Sequence, residues 1–281
     1  MKKTILTLLT LTSLFLAGTG LSQRITWWPA ETEIKHFDYD YNYERATEYN
    51  RLALRIMFRN VLEGRPWHAV AIARLYVPNV EVIINEEYGY VMFHEKGNKG
   101  WAHLVINTND IKHDREVALL APHKKNDLKT DEEASYLFKS LSNAKFAIIS
   151  GSTRGVSDAA RNRNSIFYHY VRLISERPQT TDFYSLHGNA RKTCKEVFLT
   201  NGTYADNDDV RSLKRYLKSF GVDMGGYECG YRGVTNLNGQ LVRSNDDNFF
   251  HVEQSYRFRK YQSVLLYMAM EGFYGEMAER D

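Results

Sequence analysis

Val117-Ala118-Leu119-Leu120-Ala121-Pro122-His123 decides the reading of this chain. Five apolar residues in a row, with no polar alternation, are the pattern of a strand buried on both faces. Pro122 ends the run and leaves His123 at the strand's carboxyl edge, where α/β folds gather ligands and metals. Two later stretches repeat the arrangement: Asp182-Phe183-Tyr184-Ser185-Leu186-His187-Gly188 and Phe249-Phe250-His251-Val252-Glu253. Between and around them, helices are predicted over 132–142, 165–174, 210–220 and 257–277, and a further strand over 146–149. Strands interleaved with helices at this spacing predict an α/β fold, a mostly parallel sheet with helices on both faces.

Toward the N-terminus the pattern is less regular. Residues 45–62 read as a helix, with Tyr49, Leu52, Ile56, Met57 and Val61 on one stripe, ended by Gly64-Arg65-Pro66. From His68 to Ile106 short β-like runs follow, including 80–84 and 88–93, which together predict a smaller α+β region ahead of the main unit. Phe37-Asp38-Tyr39-Asp40-Tyr41-Asn42-Tyr43 alternates aromatic with polar residues and suits either a short strand or an extended arm. Lys2-Lys3, the apolar stretch 5–17 and the small residues after it have the form of a signal peptide. The expected organisation is therefore a signal peptide at 1–22, an N-terminal region of unknown role at 23–115, and an α/β domain at 116–281. The address this implies is periplasmic or secreted, with no stable membrane anchor.

Composition excludes some classes. Removing the leader takes away Lys2 and Lys3, which leaves 35 of the 37 basic residues against 34 acidic ones. A chain so nearly neutral carries no basic footprint for nucleic acid. Cys194 and Cys229 are the two cysteines, too far apart for a Cys-rich zinc module. In an oxidising compartment they either bridge or stay free.

The chemistry-bearing residues cluster around the strand ends. Catalytic zinc is typically held by three ligands drawn from His and carboxylates, with one position left open. His123, Asp127 and His187 supply such a set. The neighbouring acids have another explanation: Thr130-Asp131-Glu132-Glu133 has the form of a capping box, with Thr130 at the N-cap and Glu133 reaching back. Glu132 is the reserve ligand. His251 shares a face with Phe249 and Glu253 by alternation and is either a further site residue or a packed strand histidine. His36, His68, His94, His103, His113 and His169 show no ligand spacing.

Glu253 is the candidate general base, because a carboxylate at the end of an apolar strand is costly unless it has a task. An ion pair with Arg257 or Arg259 is the competing account. The loop after the strand at 146–149 carries Arg154, Asp158 and Arg161. Arg154 suits an electrostatic clamp on a substrate carboxylate or carbonyl, since its planar fork matches such groups. Arg161, Asn189 and Arg257 complete the substrate-binding candidates, Arg161 alternatively pairing with Asp158.

These residues, in this order, resemble a known family. Ala121-Pro122-His123 with Asp127 and Thr130, then Arg154-x-x-x-Asp158-x-x-Arg161, Leu186-His187-Gly188 and His251-Val252-Glu253 are similar to N-formylglutamate amidohydrolase-like proteins and, in outline, to poly-γ-glutamate hydrolases. The resemblance covers about residues 116–277. It implies a zinc-dependent amide hydrolase on the phosphorylase/hydrolase-like α/β fold shared with zinc carboxypeptidases. This chain departs from the pattern at Lys124-Lys125, where glycines often follow the histidine. It also has Asn126 where a carboxypeptidase has Glu, and Asp158-Ala159-Ala160-Arg161 lacks the usual Asn. The expectation is an exported zinc amidohydrolase acting on a small-molecule or peptide-like substrate. The alternative is a non-catalytic envelope protein that binds a ligand or partner on the same fold.

Overall fold

The computed structural model describes residues 42–96, 98–111 and 113–279. The expected signal peptide and most of the aromatic stretch 37–43 lie outside the described residues. Eight strands form one sheet: β1 (Val80–Asn85), β2 (Tyr90–Glu95), β3 (His103–Asn107), β4 (Glu116–Ala121), β5 (Ala144–Ile149), β6 (Thr181–Asn189), β7 (Val197–Thr200) and β8 (Asn248–Ser255). Their spatial order is β1-β2-β3-β5-β4-β6-β8-β7. The central four, β5-β4-β6-β8, run parallel, while β1, β2, β3 and β7 pair antiparallel at the flanks. The sheet is therefore mixed, with the expected parallel arrangement confined to its core.

Period-two alternation sends successive side chains of each central strand to opposite faces. Val117, Leu119 and Ala121 join Tyr184, Phe250 and Val252 on one face, whereas Ala118 and Leu120 join Phe146, Phe183 and Phe249 on the other. Helices α1 (Glu48–Leu62), α2 (Pro66–Tyr76), α4 (Ile166–Ser175) and α6 (Leu237–Ser244) cover the second face. Helices α3 (Thr130–Ser140), α5 (Asp208–Ser219) and α8 (Ser263–Ala278) cover the first. None of these helices is long and apolar enough to cross a membrane.

Several sequence expectations need correction. Residues 80–107 do not build a sheet of their own: β3 pairs with β5, so the boundary expected at 115 separates strands of a single sheet. The helix expected over 45–62 does end at Leu62, but Pro66 then opens a further helix, α2, since its missing N–H costs nothing at a first-turn position. The helix expected over 257–277 is two, α7 (Tyr256–Tyr261) and α8, separated at Gln262. The capping box at Thr130 does not form. Lys129 precedes α3 in a left-handed conformation without a side-chain cap, and the Thr130 hydroxyl and Glu133 carboxylate are buried without hydrogen-bond partners. Glu133 faces the core instead, and burial pushes its pKa up to about 8, with Arg259 drawing it back.

Leu119 is fully buried among side chains of one face. Leu119→Ala should destabilise the protein by about 2–5 kcal/mol, read from urea denaturation midpoints.

Candidate metal centre

Strand β4 is followed in space by β5 on one side and β6 on the other, so the crossovers diverge there. Such a switch point opens a crevice outside the carboxyl ends of the strands. His123 reaches it from the turn after β4 and His187 from the end of β6, and Asp127 returns one turn later, its N–H bonded to the His123 carbonyl at 2.7 Å. The three sequence-predicted ligands do meet. His123 Nδ1 lies 3.2 Å from Asp127 Oδ2 and 3.2 Å from His187 Nδ1, and His187 Nδ1 lies 3.3 Å from Asp127 Oδ2.

That near-equilateral triangle tests whether a metal fits. Ligands about 2.0–2.1 Å from a tetrahedral zinc stand about 3.3–3.4 Å apart, so the three atoms trace one face of such a tetrahedron. The far side of each imidazole is tied down. His123 Nε2–H donates to Asp158 Oδ1 at 2.8 Å, and His187 Nε2 is hydrogen-bonded to Ser185 Oγ at 2.9 Å. With both outer nitrogens occupied, both Nδ1 atoms face the Asp127 carboxylate. Three such atoms at this distance need positive charge between them, a proton on a histidine or a metal ion in its place. His123, Asp127 and His187 are all buried, so water screens little of that interaction.

Protonation follows the same geometry. Burial pushes His187 down to about 4, helped by the neighbouring His251, so it is a neutral ligand at physiological pH. Burial also opposes charge on His123, but the carboxylates of Asp127 and Asp158 outweigh it and hold its pKa above the usual histidine value. Asp127 is held well below the usual carboxylate range because its bonds to His123 and His187 outweigh burial.

A cavity of about 390 Å³ opens over the triad, with His251 and Glu253 in its lining. The β6–β8 register pairs Ser185 with His251 and His187 with Glu253, which puts the predicted base beside a ligand histidine. His251 Nε2–H donates to Glu253 Oε1 at 3.1 Å, and the His251 and His187 ring centroids are 4.5 Å apart. Thus His251 is bonded to Glu253 and is not one of the three converging residues. Among the described residues no arginine lies within ion-pair distance of Glu253, which removes the competing account with Arg257 or Arg259.

Arg154 and Arg161 line the cavity as expected, half-exposed, 3.6 and 4.0 Å from Asp158. Arg161 also donates to Thr235 Oγ1 at 3.1 Å. Two expected substrate contacts are not brought to the cavity lining. Asn189 is locked into the chain, donating to the Arg191 carbonyl at 3.3 Å and accepting from the Gln254 N–H at 3.2 Å. Arg257 is exposed on α7 and outside the lining. The reserve ligand Glu132 pairs with Lys129 at 2.6 Å, and Lys124 is buried with Asp131 at 3.4 Å.

Sequence reading missed the far wall. Cys194 and Cys229 are joined in a disulfide, and Gly230 to Asn236, which follow directly, line the cavity. Arg232 sits there over the rings of Tyr227 and Tyr204, at 4.7 and 5.4 Å. It also missed Asp158 as the partner of His123, although a carboxylate on the same loop as Arg154 was in view.

No family model matches the chain, and no curated protein does. Solved structures with a similar arrangement of elements include a bacteriophage poly-gamma-glutamate hydrolase, at 11% identity over 65% of this chain and 92% of that one, TM-score 0.44. A metallo-carboxypeptidase from Burkholderia cenocepacia matches at 9% identity over 85% and 71%, TM-score 0.45. The succinylglutamate desuccinylase from Chromobacterium violaceum matches at 12% identity over 66% of each chain, TM-score 0.42. Scores below 0.5 say nothing about chemistry, which rests on the side chains. Those side chains give an α/β protein with a cluster of two histidines and one carboxylate that could hold a metal ion.

Because His123 holds its proton to a higher pH than an ordinary histidine, a metal must displace that proton to bind. Affinity for Zn²⁺ should therefore rise with pH from 6 to 8, with release of about one proton per ion at the acid end. Calorimetry in buffers of differing ionisation enthalpy measures both quantities.

Proposed function

We propose that the protein is an exported zinc-dependent amidohydrolase that cleaves an amide or peptide-like bond with water. The observation that carries the reading is the triangle of His123 Nδ1, Asp127 Oδ2 and His187 Nδ1 beside Glu253 in one cavity. Its donor set, two imidazoles and a carboxylate with room for a further ligand, is that of a catalytic zinc site. Zinc there supplies Lewis acidity to the scissile carbonyl and lowers the pKa of water.

The remaining work falls to this chain's own residues. Glu253, oriented by His251, takes a proton from the attacking water and delivers it to the departing nitrogen. Arg154 lies on the cavity wall, where its guanidinium stabilises negative charge developing on the carbonyl oxygen. Asp158 keeps His123 in its ligating tautomer.

Arg154, Arg161 and Arg232 all line the cavity, and of the carboxylates there Asp127 and Asp158 are committed to histidines. That balance favours a substrate bearing a negatively charged group next to the scissile amide. The Cys194–Cys229 disulfide supports export, because such bonds persist in oxidising compartments. Lys124, part of the departure from the family pattern at Lys124-Lys125, is buried against Asp131 and does not line the cavity.

Glu253→Gln should retain stoichiometric zinc yet lose about 10²–10⁴-fold in kcat. Metal analysis, together with hydrolysis of a panel of N-acyl amino acids and γ-linked peptides, measures both. Equal turnover by the variant and the parent would remove Glu253 as the base.

A further inference from the structure

Arg259, on α7, enters the sequence reading only as a possible ion-pair partner of Glu253, and it is buried, at 6% exposure. Its guanidinium Nε–H donates to the Leu128 carbonyl at 2.7 Å, and Nη1–H donates to the Gln254 carbonyl. The same plane rests on the backbone of Gly188, where a Cβ would come within 2.7–2.8 Å of its Nη1, Nη2 and Cζ. Each of these three contacts is one residue from a residue of the metal centre: Leu128 follows Asp127, Gln254 follows Glu253, and Gly188 follows His187. The segments come from three separate parts of the chain.

We propose that Arg259 is a positioning residue that fixes the mutual geometry of Asp127, His187 and Glu253 by holding their three backbone segments in one plane of hydrogen bonds and packing. This rests on the metal-centre reading above. The physical basis is the guanidinium itself. It is flat, rigid and rich in donors, so two carbonyls and a glycine face are engaged at once without freedom to rotate. A lysine has a single charged point on a flexible stem and can reach one carbonyl but not brace two. Burying the cation is tolerable because Asp127 and Glu253 act on it electrostatically. Gly188 is required for a steric reason, since any side chain there would push the guanidinium away.

The test uses the full mature chain and three variants, Arg259→Met, Arg259→Lys and Gly188→Ala. The last displaces the guanidinium while keeping its charge. Zn²⁺ affinity is measured by chelator competition, the visible spectrum is recorded with Co²⁺ in place of zinc, and metal-free thermal unfolding is followed in parallel. A positioning role predicts at least a tenfold weaker zinc affinity and an altered cobalt spectrum in Arg259→Met and Gly188→Ala. Arg259→Lys should recover part of both. Zinc affinity and cobalt spectra identical to the parent's, with only a lower melting temperature, would overturn the proposal. If the parent chain takes up neither metal, the metal-centre reading fails by itself. The clamp is then judged from imidazole ¹⁵N shifts of His123 and His187: a change in Gly188→Ala upholds it, and unchanged shifts overturn it.

Discussion

The convergence of two imidazole nitrogens and a carboxylate oxygen, held 3.2–3.3 Å apart in a buried site, is the constraint around which this molecule is arranged. Atoms so placed need a proton or a metal ion among them. They are held in place because each is fixed from behind. Asp158 and Ser185 hold the outer nitrogens of the two histidines, and the turn that bonds the Asp127 N–H to the His123 carbonyl brings the carboxylate round. A site so pre-arranged binds a cation without paying again to order its ligands.

The sheet supplies the rest of the geometry. Parallel neighbours stand about 4.8 Å apart, and the register of β6 against β8 puts His187 beside Glu253 and Ser185 beside His251. One ladder therefore places His187 next to Glu253, and the residue bonded to His187 next to the residue bonded to Glu253. Phe183 and Phe249 continue the same face inward, so the polar site grades directly into the hydrophobic core. The disulfide-braced segment from Gly230 to Asn236 closes the other side, with Gly233 pressed against the His251 ring so tightly that a Cβ would come within 2.6 Å of it.

Much of the core was legible because its signals are local. Five apolar residues in a row at 117–121 can only be satisfied by burial on both faces, and a histidine ending such a run falls at a sheet edge whatever the neighbours are. The failures share a cause in the other direction. Thr130 and Glu133 have the right spacing for a cap, but the assembled fold buries both side chains, and that burial has no local trace. Asn189 and Arg257 looked available because the backbone groups that occupy Asn189, and the surface position of Arg257, belong to the assembled fold. The short strands 80–107 gave no hint that they extend the same sheet, since pairing of β3 with β5 crosses more than forty residues.

By itself, then, the amino-acid sequence determined the alternation of strands and helices, the strand-end placement of His123, His187 and Glu253, and which two histidines and carboxylate converge. These follow from burial patterns and side-chain chemistry read over a few residues. Tertiary structure alone decided which atoms meet, which nitrogen of each histidine faces inward, that His251 serves Glu253, and that Arg259 and Asp158 stand behind the site. Distances of a few ångströms between residues far apart in sequence are set by sheet order and register, and only the packed chain fixes those.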